Sequence, residues 1–178
     1  MRATSPIAIV LLTVACGGVD YGYAREYRPL SDEQELAERA EQASYEEVSR
    51  APDAYRDKLI GWFGVVQSVQ PGKEAGTTRV SMQLRFHQKR HLCADQFESS
   101  CRVTVSEKDG GPFTAILTLH PEDREGQDRV YRGSLLKVYG ATTGEFDEQG
   151  GPEIQTVFYR HWPRGKWVTT ARQSVMLR

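Results

Sequence analysis

From Tyr55 onward the apolar residues recur with period two, and no other feature of this chain restricts its fold as much. Residues 79–87 alternate without a break, with Val80, Met82, Leu84 and Phe86 on one side and Arg79, Ser81, Gln83, Arg85 and His87 on the other. Successive side chains of a strand point to opposite faces, so this run predicts a half-buried strand. Residues 58–70 form a longer β-rich run that contains Gly61 and Gly64, where a strand can bend or bulge. Pro71-Gly72 opens a polar turn between the two. Further strands are expected at 102–105, at Phe113–Leu119 after the turn Asp109-Gly110-Gly111-Pro112, at Leu135–Tyr139 broken at Gly140 and Gly144, and at Ile154–Trp162. Strands of this number, with glycines inside the long ones, suit a small closed barrel, because glycine permits the curvature that closure requires and closure removes exposed edges.

The stretch ahead of the strands reads differently. Ser31 with Gln34 three residues on makes a capping-box pattern, and Asp32, Glu33 and Glu35 suit the positive end of a helix. Leu36, Ala40, Ala43 and Val48 form a narrow apolar stripe, and Pro52 stops the helix near Arg50. A charged connector over 121–132, with room for a helical turn, separates the third and fourth strands, where an OB-fold places its helix. The expected fold is therefore mainly β: a small antiparallel OB-like barrel preceded by one N-terminal amphipathic helix.

The first eighteen residues carry a separate message. Arg2 gives a basic start, Pro6–Leu12 is an apolar run, and Leu12-Thr13-Val14-Ala15 leads to Cys16 and Gly17-Gly18. This is the layout of an export signal, and it resembles the lipobox of bacterial lipoprotein precursors, with Thr13 where most members carry an aliphatic residue. The resemblance implies cleavage before Cys16, acylation of Cys16 by diacylglycerol (and a further fatty acid such as palmitate), and tethering to the membrane. Gly17 stands where inner-membrane retention in many Gram-negative lipoproteins uses Asp, which favours the outer membrane. Two other readings stay open: ordinary secretion with a free Cys16, and a retained anchor. The latter has only about ten apolar residues where a span needs roughly 20.

The layout then becomes a signal segment at 1–15, a lipidated tether at 16–30, the helix at 31–51, the barrel domain at 52–170 and a tail at 171–178. The tether, GGVDYGYAREYRPL after the cysteine, has neither helical nor strand periodicity. With 23 basic and 24 acidic side chains the 178-residue chain is close to neutral, with no field able to neutralise several phosphates. Nucleic acid is not an expected partner.

Cysteine counting agrees with export. With Cys16 lipidated, Cys93 and Cys101 remain as an even pair for a compartment in which disulfides persist. A bond closing so short a loop stabilises by roughly 2.5 kcal/mol on the chain-entropy model. Phe97, halfway along that loop, would either tuck under the barrel or be displayed as a contact. Together with His87 and His91 the two cysteines could instead hold a structural zinc, an alternative that a disulfide removes. Glu122, Asp123, Glu125 and Asp128 could offer oxygens to calcium but lack the spacing of a dedicated loop, and read as a solvated acidic connector. No metal or other cofactor is expected.

Catalytic motifs are missing: there is no G-x-S-x-G elbow, no H-E-x-x-H and no Gly-rich phosphate loop. The aromatic residues Trp62, Tyr159, His161, Trp162 and Trp167 fall on or just after expected strands, and OB barrels use aromatic platforms to bind ligands. Trp62, Phe97, Tyr159 and Trp162 are thus candidate binding residues, with core packing as the competing role for the two tryptophans. Tyr55, Lys58 and Gly64 in YRDKLIGWFGVV, Tyr131, Gly133, Val138 and Gly140 in YRGSLLKVYG, and Trp162-Pro163 look like the Slp family of outer-membrane lipoproteins. That resemblance, over residues 50–165, implies an OB-like barrel behind a lipobox. The expected function is non-catalytic binding of an envelope protein, peptide or glycan by a lipid-anchored barrel. An exported enzyme with an unrecognised site and a metal-binding module are the alternatives.

Overall fold

The structure, a computed structural model, describes residues 27, 29–88 and 103–172. Two short helices and a 3-10 turn precede six strands in a mainly β fold, and a third short helix interrupts the strands. The strands are β1 (Ile60–Pro71), β2 (Thr78–His87), β3 (Val103–Leu117), β4 (Leu135–Phe146), β5 (Pro152–Trp162) and β6 (Trp167–Thr169). The sheet runs β2-β1-β4-β5-β3-β6, and an additional β2–β3 pairing closes the first five strands into a barrel. One pairing corrects the antiparallel expectation. β3 and β5 run parallel, joined through Thr114↔Glu153, Ala115↔Ile154 and Ile116↔Gln155, so the barrel is mixed.

The single helix expected over 31–51 is two: α1 (Gln34–Arg39) and α2 (Tyr45–Arg50). The backbone turns extended at Ala40, and Glu41 then pairs with Ile60, its N–H donating to the Leu59 carbonyl at 2.8 Å. A strand-like bridge here competes with continued helix and wins. The capping box also lies elsewhere than Ser31. Ser44 Oγ accepts the Glu47 N–H at 3.2 Å, and the Glu47 carboxylate accepts the Ser44 N–H at 2.9 Å. Residues Pro52–Tyr55 form the 3-10 turn, and α3 (Pro121–Arg124) supplies the helical turn between β3 and β4.

Glycine explains the remaining departures. β3 is one strand through the expected turn at 109–112. Its register against β2 shifts opposite Gln83, Arg85 and His87, and Gly111, at φ 121°, lies where a Cβ would run into the Tyr45 ring. β4 likewise continues past Gly140, with a register shift between Tyr139 and Gly140. Gly61 and Gly64 do not mark a bulge, since the β1 irregularity falls between Val66 and Ser68. They make room instead. A Cβ on Gly64 would come within 2.8 Å of the Phe113 ring, and one on Gly61 within 2.8 Å of Tyr139.

Two apolar clusters use opposite faces of the same strands. Inside the barrel are Trp62, Val66, Val80, Met82, Leu84, Phe113, Ala115, Leu117, Leu136, Val138, Ile154 and Tyr159, with Val48 of α2 among them. The second cluster holds Phe63, Val65, Val103, Val105, Leu135 and Trp162, with Tyr27 and Trp167 against it. Burial of each large apolar side chain here contributes about 1.5–3 kcal/mol. Strands that bury both faces explain why the runs KLIGWFGVV and SLLKVYG carry apolar residues on both sides.

Candidate binding face and buried polar network

On the outer cluster's face, β1, β4 and β5 place two cations among aromatic rings. Phe63 comes from β1, Lys137 and Tyr139 from β4, and Arg160 and Trp162 from β5. The Lys137 ammonium sits 4.7 Å from the Phe63 ring centre and 4.9 Å from that of Tyr139. The Arg160 guanidinium lies 4.6 Å from the Trp162 ring centre. Such contacts stabilise a cation by up to about 2 kcal/mol once water is displaced. Burial nonetheless pushes the Lys137 amine down to about 8, against a smaller upward pull from Glu33.

The N-terminal segment covers this face. The Tyr27 ring meets Phe63 edge-on at 5.1 Å, His87 at 5.6 Å and Trp162 at 6.2 Å. Its hydroxyl donates to Glu33 and lies 2.7 Å from the Tyr139 hydroxyl. Glu33 is wholly buried, accepts the Leu30 N–H at 3.0 Å, and faces Arg160 at 3.6 Å. Burial, reinforced by Glu33, holds the Tyr27 hydroxyl in its protonated form far above the usual tyrosine range. One buried carboxylate thus stands among two buried cations and pairs with Arg160 alone. Among the described residues Lys137 has no carboxylate within ion-pair distance, and its neighbours are rings.

A second polar network closes the barrel near α3. His161 Nδ1 is 2.6 Å from Asp123 Oδ1, and His161 Nε2 is 3.0 Å from Ser134 Oγ. The Tyr159 hydroxyl donates to Asp123 Oδ2 at 2.6 Å and accepts the His120 N–H at 2.8 Å. With Asp123 ionised, Nδ1–H donates to it, and Nε2 is left to accept the Ser134 hydroxyl proton. This is the connectivity of a nucleophile, a base and its orienting acid. Access is what it lacks. Ser134 is 0% and His161 1% exposed, and Ser134 Oγ also receives the Tyr131 N–H at 3.3 Å. No acyl group can reach that oxygen without dismantling the turn. Burial alone would raise the Asp123 carboxyl, but hydrogen bonds from His161 and Tyr159 outweigh it and hold the group below its ordinary value. A carboxylate so held is a poor proton acceptor at neutral pH.

A cleft of about 420 Å³ opens beside this network, lined by His120, Glu122, Asp123, Asp128 and Tyr159 among others. It brings a histidine near carboxylates. The His120 ring, however, packs at a tilt against Tyr159, with ring centres 4.8 Å apart, and both Asp123 oxygens are already engaged.

The candidate residues named from the sequence are distributed as follows. Trp62 is core: its indole donates to the Ala43 carbonyl at 3.0 Å and its ring meets Phe113 at 5.4 Å, so it is no ligand platform. Trp162 is fully buried beneath the outer face and Tyr159 is buried with its hydroxyl on Asp123. None of the three presents an open ring in this arrangement, because the small barrel consumes aromatics as filling. Cys16, Phe97, Cys93, Cys101 and His91 lie outside the described residues. Asp123 corrects the reading of a solvated connector, since it turns inward from α3. Lys137 and Arg160 are not among the residues named from the sequence, and Glu33 is named there only as a charge at a helix start. The signal was a lysine and an arginine inside strand runs that are apolar on both faces.

Among the described residues no three His, Cys, Asp or Glu side chains converge to hold a metal ion, and no helix is long and apolar enough to cross a membrane. Compared with known proteins, the chain matches no family model and no curated protein, so the resemblances above rest on their residues.

Proposed function

We propose that this protein is a lipid-anchored lipoprotein of the cell envelope, held through Cys16, whose barrel binds an envelope component and carries out no reaction. The strand circuit β1-β2-β3-β5-β4, with β3 parallel to β5 and α3 between β3 and β4, supports reading the barrel as an OB-fold. The observation that carries the binding function is the cationic, aromatic face of Phe63, Lys137, Tyr139, Arg160 and Trp162 under Tyr27 and Glu33. A purely structural sheet face of this size has no need of two buried cations, which apolar residues replace at little or no loss of stability. The sealed Ser134–His161–Asp123 chain favours a structural role for the one arrangement among the described residues that looks catalytic. The outer membrane is the favoured destination, through Gly17.

The test is membrane fractionation of the wild-type and Cys16→Ala proteins, followed by crosslinking in intact membranes. A lipid-modified wild type that crosslinks to an envelope component, alongside a Cys16→Ala form that is released or unprocessed, supports the proposal. An unchanged mature mass and unchanged membrane association in Cys16→Ala would sink the anchor.

A further inference from the structure

The cover over the outer face reports what that face accepts. Tyr27 inserts its ring among Phe63, His87 and Trp162, and its hydroxyl meets Tyr139, while Glu33 supplies a carboxylate to Arg160. The fit is incomplete in one respect. Lys137 is 9% exposed, makes no ion pair among the described residues, and lies over Phe63 and Tyr139 with one negative charge too few nearby. A nine-tenths buried ammonium destabilises the free protein, and groups that are costly to the fold concentrate at functional sites.

We infer that this face is a recognition site for a partner-protein segment that presents an aromatic ring and at least two carboxylates, and that Tyr27 and Glu33 occupy it as an internal stand-in. The second carboxylate of such a segment pairs with Lys137, which the stand-in leaves unanswered. The aromatic cage selects a ring-bearing peptide over a ligand that is merely acidic. This inference deepens the binding reading above and rests on it.

The experiment uses the full mature chain in solution with three end-blocked synthetic peptides of residues 24–36, all carrying Glu26→Gln, Asp32→Asn and Glu35→Gln so that Glu33 is the one acidic side chain left: that peptide itself, a two-carboxylate version with Gln34→Glu, and a Glu33→Gln version. In the Tyr27→Ala/Glu33→Gln protein the two-carboxylate peptide should bind most tightly, with the Glu33→Gln peptide at least about 10-fold weaker. Adding Lys137→Met should raise the melting temperature and weaken the two-carboxylate peptide about 10-fold. In the wild type, the Leu30 and Glu33 amides should exchange about 100-fold faster than Val138 in β4, because the cover opens locally. Exchange of Leu30 and Glu33 only on global unfolding overturns the stand-in, and that measurement needs no variant to fold. Equal affinity for the three peptides, an unaltered affinity in Lys137→Met, or equal competition by polygalacturonate overturns the assignment of the partner. If anchored protein crosslinks to an envelope component while no peptide binds, this inference falls and the binding function stands.

Discussion

Tyr159 and Asp123 join the barrel core to the helix that closes it: the ring packs among the inner residues while the hydroxyl donates to Asp123 Oδ2 at 2.6 Å. His161 approaches the other oxygen of the same carboxylate at 2.6 Å. Asp123→Ala therefore strands two buried donors at once and should destabilise by about 3–5 kcal/mol. Asp123→Asn should cost less, because one oxygen remains to accept. Urea unfolding of the two variants measures the difference, and an Asp123→Asn protein as stable as the wild type would show that Asp123 acts only by filling space.

Acid should act through the same residue. The folded-state pKa of Asp123 lies below its unfolded value, so its stabilisation is fully present above the unfolded pKa and is lost as pH falls through the folded one. Stability should thus decline below about pH 4, and the decline should be shallower in Asp123→Asn. Urea midpoints at stepped pH values between neutral and acid read this directly.

Alkali should act in the opposite sense through Lys137. Its folded pKa, about 8, lies below that of an unfolded lysine, near 10.5. Below the lower value both states hold the proton and the full burial penalty applies. Between the two values the unfolded chain binds more protons, so stability should rise with pH. The groups facing the ammonium are Glu33, Tyr139, Tyr27 and Arg160; the raised tyrosines set an upper bound near pH 10, above which the unfolded tyrosines ionise first and stability falls. Lys137→Met should remove the rise between about pH 8 and pH 10. A rise that survives in Lys137→Met would assign it to another group.

Space rather than chain flexibility decides Gly64. Gly64→Ala pushes a methyl group to within 2.8 Å of the Phe113 ring and 2.9 Å of Met82 Cβ, and should cost about 1–3 kcal/mol through overpacking. Phe113→Leu in the same chain should recover part of that loss, which a double-mutant cycle of melting curves would quantify.

The cysteines outside the described residues give a chemical test. Protein from an oxidising compartment should show Cys93 linked to Cys101 in non-reducing peptide maps. Alkylatable thiols at both positions would revive zinc binding through His87 and His91.

The parts of the fold that were legible are those where one period governs. Residues 79–87 alternate cleanly and become Thr78–His87, and the 58–70 run becomes Ile60–Pro71. The turn read at Asp109–Pro112 failed because Gly110 and Gly111 serve a bulged strand that stays paired to β2, which local chemistry cannot distinguish from a reversal. The parallel β3–β5 pairing was hidden because it joins residues with all of β4 between them. The site was legible only in outline. Aromatics on strands are visible in the sequence, yet whether Trp62 points inward and Phe63 outward depends on which face the pleat turns to the core. Glu33 reads from the sequence as a helix-terminus charge, and only tertiary contact reveals its pairing with Arg160.

The three-residue parallel seam between β3 and β5 also sets an order of assembly. β1, β2 and β3 can form a meander from neighbouring stretches of chain as soon as residue 117 is available. β1 must then wait for β4, and β3 must wait for β5, before either has its second neighbour. Folding accordingly divides into an early local half and a late, slow half limited by loop closure, with open strand edges in between. A chain halted before Pro152 has every strand of the meander and no barrel, and it is at that length that helper proteins would find most to hold.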